Sequence, residues 1–184
     1  LISAVERATR LISQMLTLAR LADDQPFESR DIALQSTCRN ELAQLLPLAL
    51  KKHLELQFDV DPGLPETLAM EPGGLDMLLQ NLLANAIQHC PQGGTVKLLL
   101  KPEEKPSPGL LLRVENSGQP VAAAERARLL ERFYTGSERP GAGLGLSIVQ
   151  RVVERHQGSI TLDESPLGGL RVDVRLPSGA GPDQ

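Results

Sequence analysis

The chain has 184 residues, 41% of them hydrophobic, enough for one packed domain with an appendage. Only 2% are aromatic and none is Trp, so Leu, Val, Ile and Ala must fill the core. A formal net charge of −4 and a pI of about 5.4 exclude a broad basic surface for nucleic acid, but not a nucleotide site, where backbone amides and a metal can carry the phosphate contacts.

Cys38 and Cys90 form no CxxC pair, so a zinc site is not expected and a reducing compartment is the default. No apolar run reaches the roughly 18 residues of a membrane span. The first residue is Leu and no signal peptide is visible, so a fragment of a longer protein is expected, and membrane attachment of its parent stays open.

Residues 1–22 read as a helix. Leu1, Val5, Ala8, Ile12, Met15, Ala19 and Ala22 recur at spacings of four and three, the seam of a coiled coil or bundle. Ile2, Leu11, Leu16 and Leu18 widen that stripe toward a bundle. An amphipathic helix packed on its own domain would give the same pattern over so short a stretch. Asp23-Asp24-Gln25-Pro26 ends this helix and opens a linker. A helix follows over about 36–52, with Pro47 predicting a kink or break. Leu54–Val60 alternates as a strand and stops at Asp61-Pro62-Gly63. The next helix runs from about Pro72, a favourable first-turn residue, to about His89. Thr95–Lys101 and Leu110–Glu115 read as paired strands. Ala122–Glu131 reads as a short helix, and Leu144–Gln157 as another with Gly158 as its left-handed cap. Ile160–Glu164 and Leu170–Leu176 make a hairpin around Gly168-Gly169. The pattern is an α/β two-layer sandwich, one sheet with helices on one face. The expected division is 1–24 bundle helix, 25–33 linker, 34–177 main domain and 178–184 tail.

Four segments carry chemistry. Gly141-Ala142-Gly143-Leu144-Gly145-Leu146 opens a helix, where glycines let amides approach phosphate oxygens and the helix end is partly positive. It is neither a dinucleotide fingerprint nor a P-loop, and alone it is equally a flexible loop entering a helix. Asn81-Leu82-Leu83-Ala84-Asn85-Ala86 puts two amides four apart on one helical face. Amides among leucines are expensive to bury unpaired, so they either bond local backbone or meet a metal-bound phosphate. Glu115-Asn116-Ser117-Gly118-Gln119-Pro120 ends a strand in a polar turn, which is ordinary turn chemistry or the wall of a pocket for a flat ring. Phe133-Tyr134 before the polar segment Thr135–Pro140 reads as the anchor of a hinged lid.

In this order the segments resemble the N-box, first glycine box, F-box and second glycine box of the catalytic domain of bacterial two-component sensor histidine kinases. That domain has a Bergerat-type ATP-binding fold shared with gyrase-type and mismatch-repair ATPases. The resemblance covers about residues 30–177. Ala8–Leu21 is also similar to the second helix of the family's dimerisation domain, and quorum-sensing-type and metal- or tricarboxylate-sensing receptors are the relatives suggested.

The resemblance implies ATP and Mg²⁺ as ligands. Asn85 would hold the metal and Asn81 would support the phosphates. Asn116 would accept from the adenine amino group, with Gly118 beside the purine. Gly141, Gly143, Leu144, Gly145 and Leu146 would close over the triphosphate, with Phe133 at the lid and Arg139 a γ-phosphate contact by position and charge. Gln88 and His89 follow the N-box into the same region; His89 is a pocket residue or an ordinary helix-end histidine. His53 is expected as an exposed helix-end residue, and His156 as a helix terminator.

The chain departs from the family pattern at Asn116, usually Asp; at Pro120, usually Gly; at Gln88, often Lys or Arg; and in a short lid. None of the three histidines has the phosphoacceptor context, in which an acidic residue and Arg-Thr-Pro follow the His. The resemblance therefore implies γ-phosphoryl transfer from ATP to a His outside these residues, then relay to a response regulator. It further implies a homodimer through the N-terminal helix, no nucleic-acid partner, and a cytoplasmic position below a bacterial inner membrane reached only through other segments. An anti-sigma-type serine kinase, a gyrase-like ATPase and a non-catalytic nucleotide-binding module are the competing readings.

Overall fold

A computed structural model describes residues 2–21, 27–103, 108–134 and 143–178. Helix α1 spans Ile2–Leu21. Strand β1 (Arg30–Ala33) leads into α2 (Leu34–Lys51), followed by β2 (Glu55–Val60), β3 (Thr67–Met70) and α3 (Gly74–His89). Strands β4 (Thr95–Glu103) and β5 (Gly109–Ser117), the short α4 (Ala123–Arg126), α5 (Gly145–Arg155), β6 (Ser159–Glu164) and β7 (Gly168–Pro177) complete the chain.

The main sheet has the order β2-β4-β5-β7-β6. It is antiparallel except for β2 and β4, which pair in parallel because the connection through β3 and α3 crosses over. Alternation sorts its two faces. Leu98, Val114 and Val172 stand in one row with Leu100, Leu112 and Val174 in the next, all buried beneath the helices. Leu75, Leu78, Leu79, Leu82 and Leu83 of α3 and Ile148, Val149, Val152 and Val153 of α5 complete that core, and α3 packs against α5. The opposite face carries charges in cross-strand register. Arg113 faces Asp173 in a bidentate pair at 2.6 and 2.7 Å, with Lys97 on Asp59 and Arg171 on Asp163 to either side. This is the α/β sandwich expected, with helices on one face.

Several local expectations differ. Helix α2 runs through Pro47 without a break. Pro47 removes the bond to the carbonyl of Ala43, but both residues lie on the exposed face, where water can satisfy that carbonyl. Pro72 lies in a turn before α3, and Gly73 (φ 80°) takes the N-cap. Beyond Arg126 the chain continues as i→i+3 turns (Arg128 N–H to Glu125, Glu131 N–H to Arg128) rather than as helix to Glu131. The left-handed residue after α5 is Gln157 (φ 55°). Gly158 is needed for a different reason: a Cβ there would lie 2.3 Å from the Arg175 carbonyl oxygen. A small second sheet, β1 with β3, places a strand inside the expected linker. The end of the first helix at 23–26 falls outside the described residues.

Helix α1 buries Leu18 and Leu21, packs against α5, and exposes Leu11, Ile12, Met15 and Leu16. Among the described residues no helix is long and apolar enough to cross a membrane. Both cysteines are free and buried; burial, first, and then nearby Asp76 and Glu41 push the Cys38 thiol up to about 12, so it is an unreactive core group.

Candidate nucleotide site

One cavity, about 440 Å³, opens between the C-terminal half of α3 and the end of β5. Its lining comes from separate segments: Asn85 and His89 from α3, Pro91 after it, Asn116 and Gly118 at the end of β5, Gln119 and Val121 beyond, and Leu170 of β7. Among the described residues the lining has amides, one imidazole and apolar walls, and no carboxylate. Such a site admits a flat ring with a polar edge and does not repel an anion.

Asn116 is 5% exposed, and its Nδ2 donates to the Ser117 carbonyl at 2.7 Å. A carbonyl only accepts, so the amide atom beside it must be the NH₂. The remaining Oδ1 is an acceptor, the group an adenine amino proton needs. The NH₂ is thus committed to the backbone, not to a ligand. Its position also explains Gly169: a Cβ there would lie 2.4 Å from Asn116 O and 2.7 Å from Asn116 Nδ2. Gly168 (φ 97°) also lies against Gly118, with 2.9 Å from the Gly118 carbonyl oxygen to its Cβ position. The Gly168-Gly169 pair, expected only as a hairpin turn, is therefore a wall against which the first glycine box packs.

Asn81 lies one turn before Asn85. Its Nδ2 donates to the Met77 carbonyl at 2.8 Å, and its Oδ1 lies 3.5 Å from where a Cβ on Gly145 would stand. Asn81 thus borders the start of α5 rather than the cavity. Leu144 supplies no side-chain cap to α5, so the first-turn amides remain the positive end of that helix. Leu144 and Leu146 are buried and anchor the helix start in the core. Gly143 (φ 67°) could be no other residue without movement: a Cβ would lie 2.6 Å from the Phe133 carbonyl carbon and 2.7 Å from the Tyr134 nitrogen. Phe133 donates its N–H to the Gly143 carbonyl at 2.9 Å, so the residues flanking 135–142 are held together. Phe133 is 60% exposed and has φ 65°, a conformation that costs a bulky L-residue about 1–2 kcal/mol. Arg128 stacks on Tyr134 at 4.2 Å.

The structure therefore brings Asn85, His89, Asn116 and Gly118 together in the cavity, with Asn81, Gly145 and the Phe133–Gly143 contact around α5. It does not bring Gln88 there; that side chain is exposed. Arg139 and Gly141 lie outside the described residues. Gln119 belongs to the polar turn already named, whereas Pro91, Val121 and Leu170 carry no sequence signal, since a lone apolar residue in a strand or turn looks like core.

The other two histidines lie away from the cavity. His53 is exposed after α2. His156 terminates α5 as expected, but it is buried: Nδ1 faces the Val152 carbonyl at 2.7 Å, Nε2 accepts the Glu71 N–H at 3.1 Å, and the ring meets Phe27 at 4.9 Å. Burial lowers its pKa and keeps it neutral.

A fit to Mg²⁺ can be tested on the donor set. Among the described residues no group of three His, Cys, Asp or Glu could hold a metal. Mg²⁺ commonly takes one or two protein oxygens and completes its shell with substrate phosphates and water. One amide oxygen from Asn85 at the cavity edge fits that mode.

Comparisons with known proteins give the family and the fold. The chain is 36% identical over 183 residues to the sensor protein kinase PmrB of Pseudomonas aeruginosa, covering 95% of this chain and 36% of that protein. It is 30% identical over 175 residues to the sensor protein QseC of Escherichia coli K12, covering 94% and 37%. The chain thus spans little more than a third of the relatives it matches. In fold it is similar to full-length ShkA in complex with AMPPNP (TM-score 0.84, 24% identity, 95% of this chain and 36% of that one). It is likewise similar to the catalytic domain of histidine kinase ThkA (TM-score 0.74, 22% identity, 84% and 98%). The family of histidine kinase-, DNA gyrase B-, and HSP90-like ATPases matches residues 70–180, from the end of β3 through β7, and the chain belongs to that family.

Proposed function

We propose that this chain is the ATP-binding catalytic part of a sensor histidine kinase, which transfers the γ-phosphoryl group of ATP to a histidine on a separate helix. The observation that carries the reading is the meeting of Asn85, Asn116 and Gly118 from two elements in one cavity whose described lining holds no carboxylate. The likeness to sensor kinases over nearly the whole chain supports it.

The chain's own groups have distinct tasks. Asn116 Oδ1 accepts from the adenine amino group, while Pro91, Val121 and Leu170 cover the ring faces. Asn85 is the protein ligand of Mg²⁺, which offsets phosphate charge, and Asn81 supports it from the preceding turn. Gly145 and the uncapped start of α5 face the phosphates. The Phe133–Gly143 contact joins the two ends of the segment 135–142, whose sequence includes Arg139 and Gly141. The exposed Leu11, Ile12, Met15 and Leu16 of α1 form a homodimer seam in the intact protein, with a response regulator as the final phosphoryl acceptor. The parent protein is a membrane receptor whose kinase portion faces the cytoplasm.

The test is incubation with γ-labelled ATP and Mg²⁺. The chain alone stays unlabelled, and an added dimerisation domain bearing a phosphoacceptor histidine gains acid-labile, base-stable label. Label on His53, His89 or His156 would overturn the assignment of the acceptor to another segment.

A further inference from the structure

Lys52 caps the C-terminus of α2 and opens the turn into β2, far in sequence from the boxes described above. Its ammonium nonetheless reaches the end of the asparagine helix. Nζ donates to the carbonyls of Ile87 (2.8 Å), Gln88 (3.0 Å) and Cys90. An ammonium has three N–H donors and no acceptor, so these three oxygens use its full capacity. Carbonyls in the last turn of a helix have no partner within the helix, and they sit at the negative end of its dipole. The cap backbone supplies one other bond, Cys90 N–H to Ala86. Lys52 therefore closes the C-terminal end of α3 from outside.

That end is where the cavity begins. Asn85, His89 and Pro91 all line it, and the three carbonyls fall at residues 87, 88 and 90, interleaved with them. We infer that Lys52 is a positioning residue of the nucleotide site: it touches no ligand, and it sets the last turn of α3 and Pro91 in the conformation that leaves the cavity open. This rests on the nucleotide-binding reading above.

The fold does not depend on the ammonium alone. The same two turns are tied by backbone bonds, Gly93 N–H to the Lys52 carbonyl and Glu55 N–H to the Gly94 carbonyl, both at 2.9 Å. Parallel pairing of β2 with β4 starts directly beyond, at Glu55 opposite Thr95. A Lys52→Met chain keeps these bonds and an unbranched stem of four atoms in place of the lysine stem, and loses the terminal ammonium with its three donors and charge. Loss of the donors frees the helix end to rotate or fray, and the cost falls on the cavity.

The test uses the full chain and its three histidines, whose ring Cε1–H signals are few enough to resolve and assign by single substitution. Lys52→Met is compared with wild type for ATP affinity at a temperature well below its Tm, and for the His89 and His156 signals without nucleotide. The expected result is ATP affinity reduced about tenfold and a displaced His89 signal. The buried His156 signal stays in place, which shows an intact fold. Lys52→Gln, with two donors on a shorter arm, falls between the two, and it decides the matter should Lys52→Met not fold. ATP affinity within twofold of wild type, with His89 unmoved, would overturn the inference even if Tm falls. Should wild type itself bind no ATP, the functional reading fails, while the His89 signal still reports whether Lys52 sets the helix end.

Discussion

Replacing Gly169 by Ala isolates the packing behind Asn116. Gly169 has no left-handed φ, so alanine meets no backbone penalty there. The cost is steric. Its methyl would lie 2.4 Å from Asn116 O and 2.7 Å from Asn116 Nδ2, where carbon contacts normally settle near about 3.5 Å. A separation of roughly 1 Å must be found between β5 and β7, at the point where their register already shifts between Glu115 and Ser117. Overpacking of this kind costs about 1–3 kcal/mol, or about 2–12 °C in Tm for a chain of this size. The amide is the movable part, and pushing it from the Ser117 carbonyl turns Oδ1 away from its ligand. Loss of that hydrogen bond, about 0.5–1.5 kcal/mol, lowers ATP affinity roughly two- to tenfold. Gly73→Ala is the control: its φ of 80° costs alanine about 1–2 kcal/mol, but nothing lies within 4 Å of the new methyl, and it sits at the far end of α3. Thermal melts and calorimetric titration with ATP should show both variants less stable and only Gly169→Ala weaker in binding. Unchanged affinity in Gly169→Ala, despite a lower Tm, would refute the role given to the Asn116 amide.

Three further outcomes follow from particular contacts. Asn116→Leu should lower ATP affinity at least tenfold by leaving the adenine amino group unpaired, whereas Asn116→Asp should keep preference for ATP over GTP and stay within about tenfold, as titration with both nucleotides will measure. Asp173→Asn breaks the bidentate partner of Arg113 on the charged sheet face, and urea denaturation should show a loss of about 2–3 kcal/mol with little change in ATP affinity; equal stability would mean that the pair contributes nothing net. His156 is neutral when folded because burial lowers its pKa, so above about 6.5 it costs no stability, and below 6.5 the unfolded chain gains a proton that the folded chain does not. Stability should therefore fall as pH drops from about 6.5 toward the lower folded value, by up to about 1.4 kcal/mol per pH unit, and melts of His156→Gln should follow a flatter pH profile than wild type.

The parts of the site that were legible in the sequence are those where polar groups interrupt an apolar pattern. Asn81 and Asn85 stand out on a leucine-rich helix, and Asn116 follows a strand that opens with Leu110-Leu111-Leu112. Other contributors carry no such contrast. Pro91, Val121 and Leu170 look like core or turn residues until the chain places them around one space. Gly168-Gly169 reads as turn chemistry, and only the proximity of β5 shows that a side chain would strike Asn116. Strands β1 and β3 are four residues each and pair only with one another, too short for alternation to emerge. Pro47 signals a break, but whether one occurs depends on which face the freed carbonyl occupies, and that is settled by tertiary packing. The Lys52 contacts join residues 35 to 38 apart, beyond the reach of any local pattern.

The most direct test of the account is calorimetric titration of ATP into wild type and Asn85→Ala, each with Mg²⁺ and with a chelator. The account predicts saturable one-to-one binding by wild type that Mg²⁺ strengthens, and binding by a folded Asn85→Ala that Mg²⁺ no longer strengthens. A wild-type chain that is folded and binds no ATP, or an Asn85→Ala chain that responds to Mg²⁺ as wild type does, would contradict it.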